Sequence, residues 1–264
     1  MQKYILTLTY LLFVSVAPLF AWGQTGHRVI ADIAYNSLTD KASAAVDSLL
    51  GRKGMVWWAN WADQIKSDTI YPDSYDWHFQ DLAPNLSDSA VISTLHCYPQ
   101  HGGRLWQTLD SLRSLLADTI KPQGQNHIDA LKFFIHLVGD AYCPMHIAHE
   151  DDLGGNRVKM KWFYTPTNLH RVWDENLIDS RGFSYSEYAE HLVARYSSEL
   201  EEIEKAPFDS LLLQTYQLTQ DIYDYQNLND ENTYHYIYRW HEACEKQLYK
   251  AGVRLAKWLN IFYK

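Results

Sequence analysis

Twice in this chain a histidine stands four residues before an aspartate inside a stretch that is otherwise apolar. The first is His136-Leu-Val-Gly-Asp140, preceded by Phe133-Phe134-Ile135; the second is His170-Arg-Val-Trp-Asp174, flanked by Leu169, Val172 and Trp173. On a helix this spacing projects both side chains from one face, about one turn apart. The apolar flanks demand burial, and a buried imidazole or carboxylate without a partner is costly. One such pair is satisfied by a hydrogen bond. Two of them, with His146 close behind Pro144 at the end of the first helix, point to bound metal. Imidazole nitrogen with carboxylate oxygen and no thiolate is the ligand mix of catalytic zinc, and Mn²⁺ or Ni²⁺ fit the same chemistry.

The rest of the chain supports helices around these pairs. Apolar residues recur at three and four positions, which predicts helices over 26–38, 40–50, 103–117, 126–141, 168–179, 185–204, 208–222 and 232–260. Thr39 and Asn168 stand where N-caps belong, and Gly51 where a terminating glycine does. The alternation from Arg157 to Phe163, after Gly154-Gly155, predicts one arm of a small hairpin. The expected fold class is therefore mainly α, a single domain over 22–264 with a small β-hairpin. Residues 52–102, rich in Trp, Asp and Tyr, read as long loops that line a site.

Residues 1–21 read as a secretory signal, with Lys3 at its start, an apolar run from Leu6 to Leu19, and Ala21 before the cut. Thr7, Thr9, Ser15 and Pro18 interrupt that run and no later segment approaches spanning length, so stable membrane insertion is not expected. The mature protein would be exported, to periplasm, medium or a secretory organelle, and would begin at Trp22. Its new α-amino group, with a pKa of ~7.7–8, loses its proton to a divalent ion readily. Amine and carbonyl of Trp22 would chelate one ion, and Gly23 and Gly26 would let the backbone fold so that His27 reaches it.

The net charge of −9 excludes affinity for nucleic acid through a generally basic surface, because such binding depends on Lys and Arg replacing counterions. Positive charge for a polyanionic substrate must come from metal. Three cysteines, Cys97, Cys143 and Cys244, form no Cys-x-x-Cys pair and allow one disulfide in any of three pairings.

Taken in order, Trp22-Gly-x-x-Gly-His27, Trp61-Ala-Asp63, Trp77-His78-Phe79, His136-x-x-x-Asp140 with His146, Gly154-Gly155-Asn156, Asn168-Leu-His170-x-x-Trp-Asp174 and Gly252-x-Arg-Leu-Ala-x-x-Leu-Asn260 resemble the zinc-dependent S1/P1 nucleases. Those include plant bifunctional nucleases and share a superfamily, and a helical fold, with zinc phospholipases C. The resemblance runs from the expected mature start almost to the last residue. It implies three Zn²⁺ per chain and hydrolysis of phosphodiester bonds in single-stranded DNA and RNA, with 3′-nucleotidase activity besides, by a monomer.

By the same resemblance, Asp63, His78, His136 and Asp140 hold one zinc, and His146, His170 and Asp174 a second. The third is held by Trp22, His27 and a bridging Asp140. Asp63 orients the attacking water and accepts its proton, Lys66 helps bind phosphate, and charge on the leaving 3′ oxygen is neutralised at the second zinc, so products carry 5′-phosphates. Phe79 is the expected stacking platform for a base and Asp81 its hydrogen-bond partner, while Asn156 contacts phosphate or supports the second zinc. Stacking is sequence-tolerant because every base has a π face, and a site that needs a splayed base favours single strands.

This chain departs from many relatives in having Tyr142-Cys143 where they have His-Gln. A Cys97–Cys244 bridge, with Cys143 left reduced, is the pairing expected. His96, His101, His127, His149, His191, His235 and His241 show no partner at useful spacing, and the tyrosines at 216, 223, 225, 234, 236 and 238 read as packing. Two other functions compete: a zinc phospholipase C acting on phospholipid head groups, and an exported zinc-binding protein without turnover.

Overall fold

The computed structural model describes residues 22–97, 102–118, 124–226 and 232–264; the expected signal segment and His101 lie outside them. The fold is mainly α. Helices α1 (Gln24–Asn36), α2 (Asp40–Leu50), α6 (Leu105–Ala117), α7 (Gln125–Asp140), α10 (Tyr185–Tyr196), α12 (Phe208–Gln226) and α13 (Thr233–Phe262) fall within a few residues of the periodicity reading. Thr39 caps α2 by accepting from the Ala42 N–H at 3.3 Å, and Gly51 leaves it at φ 83°, a left-handed value that favours glycine.

Residues 52–102 are not simply long loops. They hold α3 (Gly54–Trp58), α4 (Trp61–Gln64), a 3₁₀ turn at Ser74–Trp77 and α5 (Asp88–His96). These pieces are too short for an apolar stripe to repeat, so periodicity misses them. Ser87 caps α5 by accepting from the Ala90 N–H.

The hairpin forms from β1 (Lys159–Trp162) and β2 (Thr165–Asn168), antiparallel, with Lys159 opposite Asn168. The segment expected as one helix over 168–179 is α8 (Leu169–Arg171), a π-turn at Val172–Asn176, and α9 (Leu177–Asp179). Asn168 caps α8, its side chain accepting from the Arg171 N–H at 2.8 Å. Beyond α10, a 3₁₀ turn at Ser197–Glu199 leads into α11 (Leu200–Lys205), so the helix expected over 185–204 is broken once.

Helix α13 runs through the core against α1 and α10. The motif at its end is architectural. A Cβ at Gly252 would stand 2.6 Å from Ile33, so only glycine permits the α1–α13 approach. Buried Arg254 donates to the carbonyls of Glu204 and Pro207 at 3.3 and 3.2 Å, satisfying oxygens at and beyond the end of α11. Asn260 closes the α1–α2 turn by accepting from the Thr39 N–H at 2.8 Å and donating to the Ser37 carbonyl at 3.2 Å.

The expected Cys97–Cys244 bridge is absent, and all three cysteines are free thiols. Cys244 is sealed inside the core on α13, whereas Cys97 is exposed at the end of α5. No helix among the described residues is long and apolar enough to cross a membrane. Of the tyrosine stripe, Tyr216 and Tyr236 are buried as expected, but Tyr234 and Tyr238 are exposed.

Candidate metal centre

Helix α7 is buried on every side from Asp129 to Asp140, and His136 and Asp140 at its end have no exposure. Around that end gather the side chains that the sequence separates. Asp140 Oδ2 lies 2.9 Å from His78 Nδ1 and 3.5 Å from His136 Nε2, while its Oδ1 lies 3.3 Å from His27 Nε2. Asp63, on α4, approaches His136 Nε2 at 3.5 Å and His78 Nδ1 at 3.7 Å. The rings of His27 and His136 stack with centroids 3.8 Å apart, and a Cβ at Gly139 would meet His27 at 2.9 Å. Glycine at 139 therefore makes room for an imidazole of α1.

The second pair assembles beside the first. His170 Nε2 lies 2.9 Å from Asp174 Oδ2, and the His170 and His146 rings are 5.2 Å apart. Asp174 sits within the π-turn, a local widening of the helix that recurs at functional sites. His146 arrives on a 3₁₀ turn opened by Pro144 and is tied to the His78 segment in both directions. Its Nδ1 donates to the His78 carbonyl at 2.5 Å, and its carbonyl accepts from the Gln80 N–H at 2.8 Å.

Backbone carbonyls select the tautomers. His136, His146 and His170 each direct Nδ1 at a carbonyl, of Ala59 (2.7 Å), His78 and Gly154 (2.7 Å) respectively. That arrangement protonates Nδ1 and leaves a lone pair on Nε2. Nε2 of His27, His78, His136, His146 and His170 is buried and makes no hydrogen bond. Buried polar atoms are almost always satisfied, so five orphaned nitrogens among three carboxylates fit an absent cation. Three overlapping groups, His27–His136–Asp140, Asp63–His78–His136 and Cys143–His146–Asp174, bring donor atoms within 4.8 Å of one another.

The electrostatics divide the imidazoles: burial opposes protonation of all five, but Asp140 and Asp63 outweigh it at His136 and Asp174 outweighs it at His170, raising both. Burial holds His27 and His78 well below the usual imidazole value and brings His146 to about 4, so all three are neutral donors near pH 7. Burial opposes ionisation of Asp63, yet the charge of His136 when protonated and that of the Lys66 ammonium outweigh it and keep the carboxyl well below its ordinary range. Asp140 is pushed well above that range, by burial and by the nearby carboxylates of Asp63 and Asp174. An anionic Asp140 there calls for positive charge.

Trp22 is fully buried, its indole N–H donating to the Gly139 carbonyl at 2.7 Å, and the Gly23 N–H donates to the Asp174 carbonyl at 2.6 Å. The expected mature terminus is thus pinned between the segments that carry Asp140 and Asp174. Lys66 Nζ lies 2.6 Å from Asp63 Oδ1. A cleft opens over these groups and is lined by Lys66, His78, Phe79, Asp81, His146, Asn156 and His170, and also by Tyr75, Met145 and Leu153. Periodicity gave no signal for Tyr75 or Leu153. Tyr75 stands edge-on to Phe79 at 5.7 Å, and Leu153 holds a left-handed φ of 57° immediately before Gly154-Gly155. Burial, with Glu150 and Asp152 nearby, raises Asp81 to about 7.

The S1/P1 nuclease family model matches residues 22–264. This chain belongs to the S1/P1 nuclease family. Nuclease S1 of Aspergillus oryzae is 27% identical over 269 residues, 92% of this chain and 92% of that protein. Endonuclease 1 of Arabidopsis thaliana is 30% identical over 186 residues, 67% of this chain and 60% of its own length, and Nuclease P1 of Penicillium citrinum is 25% identical over 188 residues, 67% of each. As a member of the S1/P1 family the chain is a zinc-dependent nuclease, a hydrolase of phosphodiester bonds.

Of the histidines set aside on sequence, His127 is buried against the Tyr263 hydroxyl at 3.2 Å and His149 stacks on Tyr223 at 4.0 Å. His191 and His241 face the buried Glu245 at 3.8 and 3.5 Å. Spacing hides the partners of His127, His149 and His191 because they come from distant segments, whereas His241 and Glu245 stand four apart on α13, a spacing the sequence does show.

Proposed function

We propose that the mature chain, exported after cleavage before Trp22, binds three Zn²⁺ and cleaves single-stranded DNA and RNA and 3′-nucleotides, leaving 5′-phosphates. The five orphaned Nε2 atoms carry this reading. Asp63, His78, His136 and Asp140 hold the first ion, and His146, His170 and Asp174 the second. The Trp22 amine and carbonyl, with His27 and Asp140, hold the third. Bound zinc supplies Lewis acidity and positive charge, about +3 once three carboxylates are counted against three dications. That charge offsets the acidic surface where the phosphate lies.

Asp63 accepts the proton of the attacking water, and Lys66 keeps it anionic while presenting an ammonium toward the phosphate. Asn156, on the rim beside Gly154-Gly155, donates to phosphate. Phe79 offers its face to a base, with Asp81 at the edge of the same cleft. Phe79→Ala is expected to cost about 1–3 kcal/mol of substrate binding, read as a raised KM with kcat changed far less. An unchanged KM on a short oligonucleotide removes Phe79 from base recognition.

Incubation with single-stranded DNA and, separately, with phosphatidylcholine tests the function itself. Product from the DNA at a useful rate, and none from the lipid, is expected; the reverse replaces the reading with a phospholipase. Metal binding without turnover on either, in a protein loaded with zinc, leaves only a zinc-binding role.

A further inference from the structure

Cys143 is outside the ligand set proposed above, yet its thiol lies inside the centre. The side chain is fully buried and donates to Asp174 Oδ1 at 3.2 Å. Its Sγ, a ring nitrogen of His146 and a carboxylate oxygen of Asp174 all lie within 4.8 Å of one another, and His146 Nε2 is buried without a hydrogen bond. The backbone fixes the residue from both sides. Its N–H donates to the Asp140 carbonyl at 2.9 Å, and its carbonyl accepts from the His146 N–H at 3.0 Å. Cys143 is therefore fastened to the segments of two proposed ligands while its side chain reaches across to a third.

The thiol engages Asp174 at Oδ1, while Oδ2 lies 2.9 Å from the unprotonated Nε2 of His170, so these two atoms turn toward the same point. We propose that Cys143 is a positioning residue for the second metal, its S–H engaging Oδ1 so that Oδ2, with Nε2 of His146 and His170, faces the ion. The inference rests on the reading that those three residues hold a metal. A carboxylate with one oxygen fixed has its rotation set before the ion arrives. Outer partners of this kind typically contribute about 10–100-fold in metal affinity. The thiol adds a donor without adding charge.

Metal titration against a competing chelator tests this, using full mature chains of wild type, Cys143→Ala and Cys143→Ser, with thermal melting to report folding. Cys143→Ala is expected to weaken one of the three zinc equivalents by about 10–100-fold and leave the other two unchanged. Cys143→Ser, which keeps a donor, is expected to recover most of that loss. The Co²⁺-substituted wild type is expected to lack a sulfur-to-cobalt charge-transfer band in the near ultraviolet. Equal affinity in Cys143→Ala overturns the proposal, as does such a band in wild type that Cys143→Ser abolishes, since the thiol would then be a ligand itself. A wild type with no metal at this position removes the parent reading and this one together, whereas three normal affinities in Cys143→Ala remove this one alone.

Discussion

Asp63→Asn is expected to lower kcat on a single-stranded oligonucleotide by about 10²–10⁴-fold, the range for removing a positioned general base. Asparagine keeps the shape but accepts no proton at neutral pH and is a poorer ligand. The carboxyl is available for the role in that it stands ionised despite burial, and Lys66 Nζ at 2.6 Å holds one oxygen in place. Steady-state rates with zinc in excess separate the two losses. If zinc content is restored and kcat stays depressed, the proton-accepting role holds; if kcat returns to within a few fold of wild type, Asp63 is only a ligand.

Adding one residue before Trp22 is expected to have an effect of similar size. The extension turns the proposed amine ligand into an amide nitrogen, which carries no lone pair for a metal, while the buried indole on the Gly139 carbonyl still holds the segment in place. One zinc of the three should be lost. Removing a metal that stabilises charge costs several kcal/mol, roughly 10²–10³-fold in rate. Elemental analysis with parallel rate measurements checks this. Full activity and an unchanged zinc count in the extended protein show that the amine is no ligand.

Much of this centre is legible in sequence because several of its proposed ligands sit on structures with a period. His136–Asp140 and His170–Asp174 betray themselves by spacing four on apolar helices, and His146 by its place after Pro144. Asp63 and His78 do not: each lies on a short turn within 52–102 where no period can develop, and only the family resemblance singles them out. The π-turn at Val172–Asn176 leaves no trace in the apolar pattern, since one widened turn keeps Leu169, Val172, Trp173 and Leu177 inward-facing. Cys143 is a free thiol as expected, but its hydrogen bond to Asp174 leaves no mark in the sequence, because it joins the turn after α7 to a segment 31 residues away. The same limit explains the missing Cys97–Cys244 bridge: nothing in spacing tells that Cys244 faces the core while Cys97 faces solvent.

An anomalous-scattering map at the zinc edge, from crystals of the mature protein, tests the central claim most directly. Three peaks are predicted: one among Asp63, His78, His136 and Asp140; one among His146, His170 and Asp174; and one between the Trp22 amine and His27. A single peak, or zinc bound away from these side chains, would contradict the account.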